Sequence, residues 1–353
     1  MESFRDLTRH FSELSLDVVA QLVSLGEGRG AETAARVRRP HELATLREIA
    51  VVQSIETSNA IEGIHAPSAR IRKLATEKVT PRDRPEQEIA GYRFVLGEIH
   101  EQGLDIPFEP RYVLQLHGHL YRFTGARHAG SFKRTDNKVV ERASDGAVVV
   151  RFTPVDAQRT PAAMEELHQR FTAAERADEI PYPLLCAAYV LDFLTIHPFT
   201  DGNGRMARLI TLWLLYRGGF GVGRYISLER IVADTKVDYY DALAASTESW
   251  HENRHDLLPW TRYLLGVIVA AYREFEERID AMPAKSTDKR ELVRAFIETS
   301  GREGFAVGEV LDSVPVSRDY LGKLLREFRA EELVEMRGAG RGTRWHRVRR
   351  ASE

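Results

Sequence analysis

The pattern of apolar and polar positions along the chain predicts a mainly helical protein. Apolar residues recur at helix spacing over 86–101, 109–123, 205–216 and 257–278, as the buried face of an amphipathic helix requires. The stretch 183–196 is apolar on nearly every side, which predicts a helix enclosed by others. The expected fold class is therefore mainly α, a helical bundle.

One segment breaks this pattern and predicts a β-hairpin. Val139-Val140 and Val148-Val149-Val150 flank Ser144-Asp145-Gly146, and an Asp-Gly turn between β-branched residues favours two antiparallel strands. A lone hairpin is unstable unless it packs against something or binds something. The region 130–152 is thus either a purely structural hairpin or one used in binding.

A second change of pattern lies near residue 283, where a polar segment with a proline predicts a linker. Short helices are predicted after it over 289–299, 306–313 and 317–333. An extended tail rich in glycine and arginine then begins at Met336. Three helices followed by a basic ribbon resemble a winged helix-turn-helix. We expect an N-terminal helical region at 1–85, a core at 86–280, a linker at 281–288 and a winged-helix domain at 289–353.

Composition changes this picture little. The chain is 43% hydrophobic and 29% charged, with a formal net charge of −2, so no overall field demands nucleic acid or a membrane as partner. No stretch approaches the roughly 20 apolar residues of a membrane span, and residues 1–10 lack an apolar signal region. We therefore expect a cytoplasmic protein. Cys186, in an apolar run, is expected to be a buried core residue.

The residues that carry chemistry lie between the two helices predicted on either side of residue 200. The sequence there is His197-Pro198-Phe199-Thr200-Asp201-Gly202-Asn203-Gly204-Arg205-Met206-Ala207-Arg208. A glycine-containing loop that opens onto a helix N-terminus turns its N–H groups toward one point, where the helix dipole also favours an anion. Arg205 and Arg208 lie three residues apart on one helical face, so both are predicted to contact phosphate oxygens.

Two further side chains complete the predicted site. Asp201 offers a hard oxygen ligand beside the phosphates, which suits Mg²⁺. His197 is the nearby side chain that takes up a proton near neutral pH. A phosphate nest, a metal ligand and a base within residues 197–208 predict transfer of a phosphorus-containing group.

This segment resembles the signature of the Fic family, His-Pro-Phe-x-[Asp/Glu]-Gly-Asn-Gly-Arg-x-x-Arg, at every specified position. The resemblance extends over about residues 40–280 and implies a Fic-type helical bundle with a β-hairpin flap. It also implies a protein adenylyltransferase, which moves AMP from ATP to a Ser, Thr or Tyr hydroxyl of a target protein. Such catalysis consists of positioning and electrostatics.

The resemblance assigns a role to each residue of the motif. His197 would deprotonate the target hydroxyl, and Asp201 would hold Mg²⁺ on the α- and β-phosphates of ATP. Asn203 would orient the α-phosphate. Gly202 and Gly204 would supply the anion nest. Arg205 and Arg208 would neutralise the β- and γ-phosphates.

An upstream segment, from Ser58 to Gly63, resembles the Fic inhibitory motif [Ser/Thr]-x-x-x-Glu-[Gly/Asn]. In that motif the glutamate, here Glu62, pairs with the second motif arginine, here Arg208, in place of the γ-phosphate. A carboxylate and a phosphate compete for one guanidinium, so such a pair inhibits ATP use. In some relatives this glutamate also supports removal of AMP, and the sequence does not separate the two roles.

Two other segments gain roles from the resemblance. The hairpin would hold a target segment by strand addition, and Tyr240 would lie near the nucleotide base. Tyrosines at helical spacing also form ordinary core, so that alternative stays open for Tyr240.

The C-terminal region is basic. Arginines of the tail are Arg337, Arg341, Arg344, Arg347, Arg349 and Arg350. The helix predicted from Ser317 exposes Arg318, Lys323 and Arg326. A helix for the major groove and a basic wing for phosphates favour DNA binding through 289–353, although winged helices also dock proteins or form dimers.

Two functions therefore remain. One is an autoinhibited AMP transferase acting on target proteins and on itself, with ATP as donor or, as in some relatives, UMP, phosphocholine or phosphate donors. The other is a DNA-binding regulator tuned by self-AMPylation. A homodimer is compatible with both.

Overall fold

The computed structural model describes residues 1–77, 79–103, 105–142, 148–282, 289–300, 304–338 and 343–348. Helices form most of its regular structure. The turn predicted at Ser144-Asp145-Gly146, the segment 283–288 of the predicted linker, and Arg341, Arg349 and Arg350 lie outside the described residues.

The helices of the first two predicted regions are α1 (Leu7–Phe11), α2 (Leu16–Arg38), α3 (Pro40–Ile61), α4 (Ser68–Thr76), α5 (Arg84–Gln102), α6 (Pro110–Leu120), α7 (Thr160–Ala177), α8 (Tyr182–Ile196), α9 (Asn203–Arg217), α10 (Leu228–Asp234), α11 (Lys236–Thr247) and α12 (Leu258–Ala281). The C-terminal helices are α13 (Lys289–Thr299), α14 (Val307–Ser313) and α15 (Arg318–Ala330). Strands β1 (Val139–Arg142) and β2 (Val148–Phe152) form one antiparallel pair, and β3 (Val334–Arg337) and β4 (Arg344–Arg347) form another.

Local sequence explains where several helices begin. Helices α3, α5, α6, α7, α8 and α12 each carry a proline in their first turn, where its missing N–H and fixed φ cost nothing. Asp83 caps α5 by accepting a hydrogen bond from the Glu86 amide at 3.0 Å, and Ser227 and Ser317 cap α10 and α15 in the same way.

Helix α8 lies at the centre of the main core, as its apolar sequence predicts. Nearly all of its side chains are buried, including Cys186, which is fully inaccessible. It packs against α7, α9 and α12. Because α8 is enclosed, its C-terminal end is held firmly, and the motif segment begins at that end.

The predicted hairpin is present as β1 and β2, with a register shift between Val139 and Val140. Phe152 at the end of β2 stacks on His251, with ring centroids 5.3 Å apart. His251 Nε2 also lies 2.8 Å from the Thr153 carbonyl. The base of the hairpin is therefore anchored to the main body, while Val140 and Val150 are about half exposed.

The C-terminal residues form a smaller unit with a core of its own around Val293, Leu321 and Phe328. The helix predicted over 317–333 is shorter than expected. It ends at Ala330, since Glu332 adopts a left-handed φ of 57° and the Leu333 amide bonds back to the Phe328 carbonyl at 2.9 Å. The basic tail then pairs as β3 and β4. Val37 of α2 belongs to the same core, so the unit packs against the helical body.

A buried carboxylate fastens the N-terminal residues to α8. Asp192 accepts hydrogen bonds from the Ser3 hydroxyl at 2.6 Å and from Trp250 Nε1 at 2.7 Å. Burial raises the pKa of the Asp192 carboxyl to about 6, although these donors act in the opposite direction. The carboxylate thus connects three segments that are distant in sequence.

We expect Asp192→Ala to lower the free energy of unfolding by about 3 kcal/mol, because the buried Ser3 amide and Trp250 Nε1 would lose their acceptor. Urea unfolding at pH 7.5 followed by circular dichroism measures the change. Asp280→Ala, an exposed aspartate on α12, is the matched control and should change stability by less than about 0.5 kcal/mol. Equal stabilities of the two variants would contradict the assigned role of Asp192.

Candidate active site

His197 follows directly on the buried helix α8 and has an unusual backbone conformation. Its φ of 49° and ψ of 60° are left-handed, which is rare for a residue other than glycine. Its amide donates to the Phe193 carbonyl at 3.0 Å and so completes the last turn of α8. The chain turns sharply here, and His197 is the first residue of the loop that leads to α9.

The contacts of the imidazole specify its tautomer. Nδ1 lies 3.2 Å from the Leu194 carbonyl, an acceptor only, so Nδ1 carries the hydrogen. Among the described residues Nε2 has no hydrogen-bond partner. Burial lowers the pKa of His197 to about 4, and the nearby Lys133 charge acts in the same direction. At neutral pH His197 is therefore a neutral imidazole with a free lone pair on Nε2, as a general base requires.

The loop after His197 is held by side-chain to backbone hydrogen bonds. Asn203 Oδ1 accepts from the Phe199 amide at 2.9 Å, and Asn203 Nδ2 donates to the Phe199 carbonyl at 2.8 Å. Both polar atoms of Asn203 are thus engaged within the loop. Its predicted contact with the α-phosphate stays a prediction, and holding the loop is the role that its geometry displays.

His117 supports the same loop from α6. Its ring stacks on Phe199 with centroids 3.7 Å apart. Its Nδ1 accepts from the Gly130 amide at 3.1 Å, so Nε2 donates to the Asp201 carbonyl, also at 3.1 Å. Burial lowers the pKa of His117 to about 4. This histidine is a neutral structural link and not part of a metal site.

The anion nest was predicted at the N-terminus of α9, and binding of an anion there stays a prediction. Gly202, with φ of 81°, precedes the helix, and a Cβ there would lie 2.9 Å from the Tyr121 hydroxyl. Asp201 is exposed beside it, and its Oδ1 accepts from the Gly202 amide at 2.7 Å. Burial acts to raise the pKa of the Asp201 carboxyl, but a hydrogen bond from Tyr121 and the charge of Arg205 together lower it. Asp201 is therefore ionised at neutral pH.

The two motif arginines have different surroundings. Arg205 is 1% exposed, forms an ion pair with Glu88 at 2.9 Å and donates to the Tyr121 hydroxyl at 2.7 Å. These contacts join α9 to α5 and α6. The assignment of Arg205 to a phosphate stays a prediction, and its present partners give it a structural role.

Arg208 faces the end of α3 and makes three contacts with it. Nε donates to the Ser58 hydroxyl, and NH2 donates to the Ser58 carbonyl and to Glu62 Oε1, each at 2.9 Å. A Cβ at Gly204 would overlap with the Glu62 carboxylate. Glu62 therefore lies directly on the first turn of α9, at the positive end of the helix dipole. Gly63, with φ of 75°, turns the chain away immediately afterwards.

A buried polar network holds this end of α3 in place. Glu229 of α10 accepts hydrogen bonds from the Tyr92 hydroxyl at 2.8 Å and from the Ser54 hydroxyl at 2.7 Å. Ser54 lies one helical turn before Ser58. The position of Glu62 is therefore determined by contacts on α5, α9 and α10.

Tyr240 lies on α11 and is 49% exposed, with Lys236 Nζ 5.9 Å from its ring centroid. The preceding Tyr239 is buried against Trp260 and Tyr263. Burial raises the pKa of Tyr239, and the Arg208 charge opposes that rise. Contact of Tyr240 with a base stays a prediction.

Comparison with known proteins identifies the domain that contains this site. The Fic/DOC family model matches residues 107–215. Residues 107–215 form a Fic/DOC family domain.

Two curated relatives are similar to this chain in sequence. A protein of Nematostella vectensis named protein adenylyltransferase Fic is 26% identical over 255 residues, which is 67% of this chain and 50% of that protein. Protein adenylyltransferase fic-1 of Caenorhabditis elegans is 28% identical over 116 residues, 33% of this chain and 20% of that one. The chain thus spans half the length of the first relative and a fifth of the second.

Solved structures agree on the fold of the Fic domain and its surroundings. A Fic family protein from Desulfovibrio desulfuricans G20 is similar with a TM-score of 0.62 and 21% identity, over 97% of this chain and 98% of that one. A Fic domain containing signaling protein from Bacteroides thetaiotaomicron has a TM-score of 0.60 and 19% identity, over 76% and 100%. The Fic fold with its additional helices is therefore confirmed.

Several residues of the site were missed by the sequence analysis. Lys133 is 3% exposed, and its Nζ donates to the Ile196 carbonyl at 3.1 Å and to Asn137 Oδ1 at 2.9 Å. Burial lowers the pKa of Lys133 to about 8. Glu88, Tyr121 and Glu229 were missed as well. Nothing in their local sequence distinguishes them from surface or core positions, since their partners are distant in the chain.

Asp201 is the motif residue that is predicted to hold Mg²⁺, and this assignment stays a prediction. Among the described residues no group of three or more His, Cys, Asp or Glu side chains stands close enough to hold a metal. A single ionised carboxylate beside a phosphate nest nevertheless fits Mg²⁺, which takes most of its ligands from phosphates and water. Asp201 alone meets this description in the motif.

The tautomer and surroundings of His197 lead to a testable titration. The imidazole of His197 should titrate with a midpoint near pH 4, since burial disfavours its charged form. Long-range ¹H–¹⁵N NMR of protein labelled at histidine measures the titration and reports a protonated Nδ1 at neutral pH. His197→Gln assigns the signal. A midpoint at 6.5 or above, or a hydrogen on Nε2, would show that the geometry is wrong.

Proposed function

We propose that this protein is an adenylyltransferase that moves AMP from ATP to a hydroxyl side chain of a protein, and that Glu62 inhibits it. The observation that carries the proposal is the position of the free Nε2 of His197 beside the N-terminus of α9, within the Fic domain. A neutral base and an anion-binding helix end are the two parts that this reaction needs. The names of the curated relatives support the same activity.

In the proposed reaction His197 Nε2 accepts the proton of the target hydroxyl. The hydroxyl oxygen forms a bond to the α-phosphorus of ATP while the bond from that phosphorus to the bridging oxygen breaks, and pyrophosphate leaves. The product is a phosphodiester between AMP and the side chain. The Nδ1 contact with the Leu194 carbonyl stabilises the imidazolium that results.

The amides at the start of α9 and the Arg208 guanidinium would bind the phosphates of ATP. Asp201 would hold Mg²⁺, which when bound supplies positive charge to the phosphate oxygens. Lys133 supports the base by fixing the last carbonyl of α8, next to His197. Half-exposed Val140 and Val150 leave the hairpin available to a target segment.

Inhibition follows from the place that Glu62 occupies. Its carboxylate lies on Gly204 and pairs with Arg208, where a terminal phosphate would otherwise bind. A charge-assisted hydrogen bond contributes about 1.5–3 kcal/mol, so the pair opposes productive binding of ATP by about tenfold or more. Whether Glu62 also removes AMP is answered by the same assay.

The test is incorporation of label from α-³²P-ATP with Mg²⁺ into wild type and variants, with and without a lysate as a source of targets. Glu62→Gly should be labelled, or should label a target, at least about tenfold faster than wild type, because Arg208 is released. Glu62→Gln keeps the shape without the charge and should act in the same direction. Adding His197→Ala to either variant should abolish the label.

Glu48→Gln, on the exposed side of the same helix, is the matched control and should behave like wild type. A chase with unlabelled ATP distinguishes inhibition from AMP removal. If Glu62 supports AMP removal, labelled protein loses its label while Glu62 is intact. If Glu62 only inhibits AMP transfer, the label stays. No label in any variant would contradict the proposal for ATP and lead to trials of UTP and other donors.

The C-terminal unit supports a second candidate function, DNA binding by a winged helix. Its favourable feature is α15, on which Arg318, Lys323 and Arg326 are exposed. Arg344 instead pairs with Glu309 and Arg337 with Glu335, so the tail has fewer available charges than its sequence indicates.

Replacing Lys323 and Arg326 by alanine should weaken binding to duplex DNA and reduce the slope of log K against log salt by about 2, one for each lost phosphate contact. Fluorescence anisotropy at several salt concentrations measures this. Arg72 and Lys73 on α4 are also exposed, and their replacement by alanine is the control. Identical slopes for both double variants would exclude α15 as a DNA contact.

A further inference from the structure

A large cleft lies between the helical body and the C-terminal unit, away from the motif segment. Its volume is about 1330 Å³, more than the 300–1,000 Å³ typical of small-molecule sites. We call it the interdomain cleft. Its lining includes the arginines Arg36, Arg47, Arg217, Arg224, Arg337 and Arg347. Four carboxylates also line it, those of Glu101, Asp105, Glu298 and Glu335.

Only some of the arginines that line the cleft are paired with a carboxylate. Arg337 on the C-terminal side pairs with Glu335 at 2.9 Å, and Arg217 on the body pairs with Glu175 at 3.6 Å. Neither Arg47 nor Arg224, both on the helical body, forms an ion pair with a described residue. Arg47 and Arg224 therefore bring to the cleft two positive charges that no described carboxylate neutralises in an ion pair.

The carboxylate of Glu32, which pairs with Arg36 of the lining, does not compensate for this charge. Glu32 is 1% exposed and already bound by Arg36, by the Gly221 amide at 3.0 Å and by the Tyr272 hydroxyl at 3.0 Å. Three donors satisfy both of its oxygens. It is therefore not free to pair with Arg224 as well.

Arg224 is fixed in place although none of the described residues gives it an acidic partner. It donates to the His100 carbonyl, and its guanidinium lies over the Tyr216 ring, 4.2 Å from the centroid. Burial lowers its pKa, and the neighbouring charges of Arg36 and Arg47 act in the same direction. A guanidinium held rigidly among like charges is prepared to bind an anion.

His100 adds a polar group to the same wall. It is 3% exposed, its Nδ1 has no partner among the described residues, and its Nε2 lies 3.3 Å from the Tyr216 hydroxyl. Burial and the charges of Arg224 and Arg47 lower its pKa to about 3, so it adds no charge at neutral pH. This wall of the cleft thus combines the guanidinium groups of Arg47 and Arg224, which have no ion-pair partner among the described residues, with the neutral polar ring of His100.

We propose that the interdomain cleft binds an anion with two or more phosphate groups, either free or carried by a nucleotide. Guanidinium groups bind phosphate oxygens in pairs and with charge assistance, and ligand sites commonly lie between domains. Leu43 and Pro40 form an apolar part of the same lining, against which a base would pack. The site is distinct from the nest at α9 and does not depend on the proposed transfer reaction.

The test is isothermal titration calorimetry of the full chain with two probes, inorganic tripolyphosphate and ADP, at low salt. Because the N-terminus of α9 is also proposed to bind phosphates, the titrations are made on Arg208→Gln as well as on wild type. The cleft should take up one equivalent of probe in both proteins. ADP binding more tightly than tripolyphosphate identifies a nucleotide as the ligand, and equal affinities identify the phosphates alone.

Arg47→Gln, an exposed position without a described ion pair, should weaken binding in the Arg208→Gln background about tenfold. Adding Arg224→Gln should abolish it. Arg254→Gln removes an equal charge from an exposed position outside the cleft and should leave binding unchanged. Circular dichroism melts verify that each variant folds. The proposal is overturned if neither probe binds, if Arg47→Gln binds as the control does, or if only long duplex DNA binds.

Discussion

The six residues that join α8 to α9 place His197 next to the N-terminus of α9, and the other elements of the site pack around this connection. Helix α8 is enclosed by the core, and its end is completed by a left-handed His197. Helix α9 begins at Asn203, and Asn203 binds back to Phe199. The carboxyl end of one helix and the amino end of the next thus lie close together, so a base and a positive dipole occupy one small region. Other elements contact this short connection or the helix turns beside it. Lys133 binds the last carbonyl of α8, His117 binds the Asp201 carbonyl, and the end of α3 contacts α9 through Arg208.

Much of this arrangement was predictable because it is local. The spacing of apolar residues located α8 and α9 to within about two residues, and the glycines of the motif indicated a loop at a helix N-terminus. The hairpin was predictable from the Asp-Gly sequence that lies between two segments rich in β-branched residues. These signals depend on residues that are neighbours in the sequence, so they are visible in the order of apolar, polar and turn-forming residues.

The remaining features depend on partners that are distant in sequence. Arg205 was expected at a phosphate, yet Glu88 and Tyr121 enclose it, and neither partner is marked by its own sequence. The same holds for Lys133, whose pKa is lowered only because folding buries it beside the end of α8. Asn203 matches the family motif, but only the folded loop reveals that its amide is used to hold Phe199. Tertiary contacts and burial decide these roles.

The contacts of Arg208 have an evolutionary consequence if, as proposed, its guanidinium serves both inhibition and donor binding. A chain that lost this arginine would then lose its inhibition together with its contact to the donor, so the loss would yield a silent protein and not an overactive one. Changes at Ser58 or Glu62 would carry no such penalty, since these residues contact Arg208 from α3 and bind no donor in the proposal. Uncontrolled activity would therefore arise only through changes on α3. In related chains we expect asymmetric variation, with the arginine held constant while its partners change.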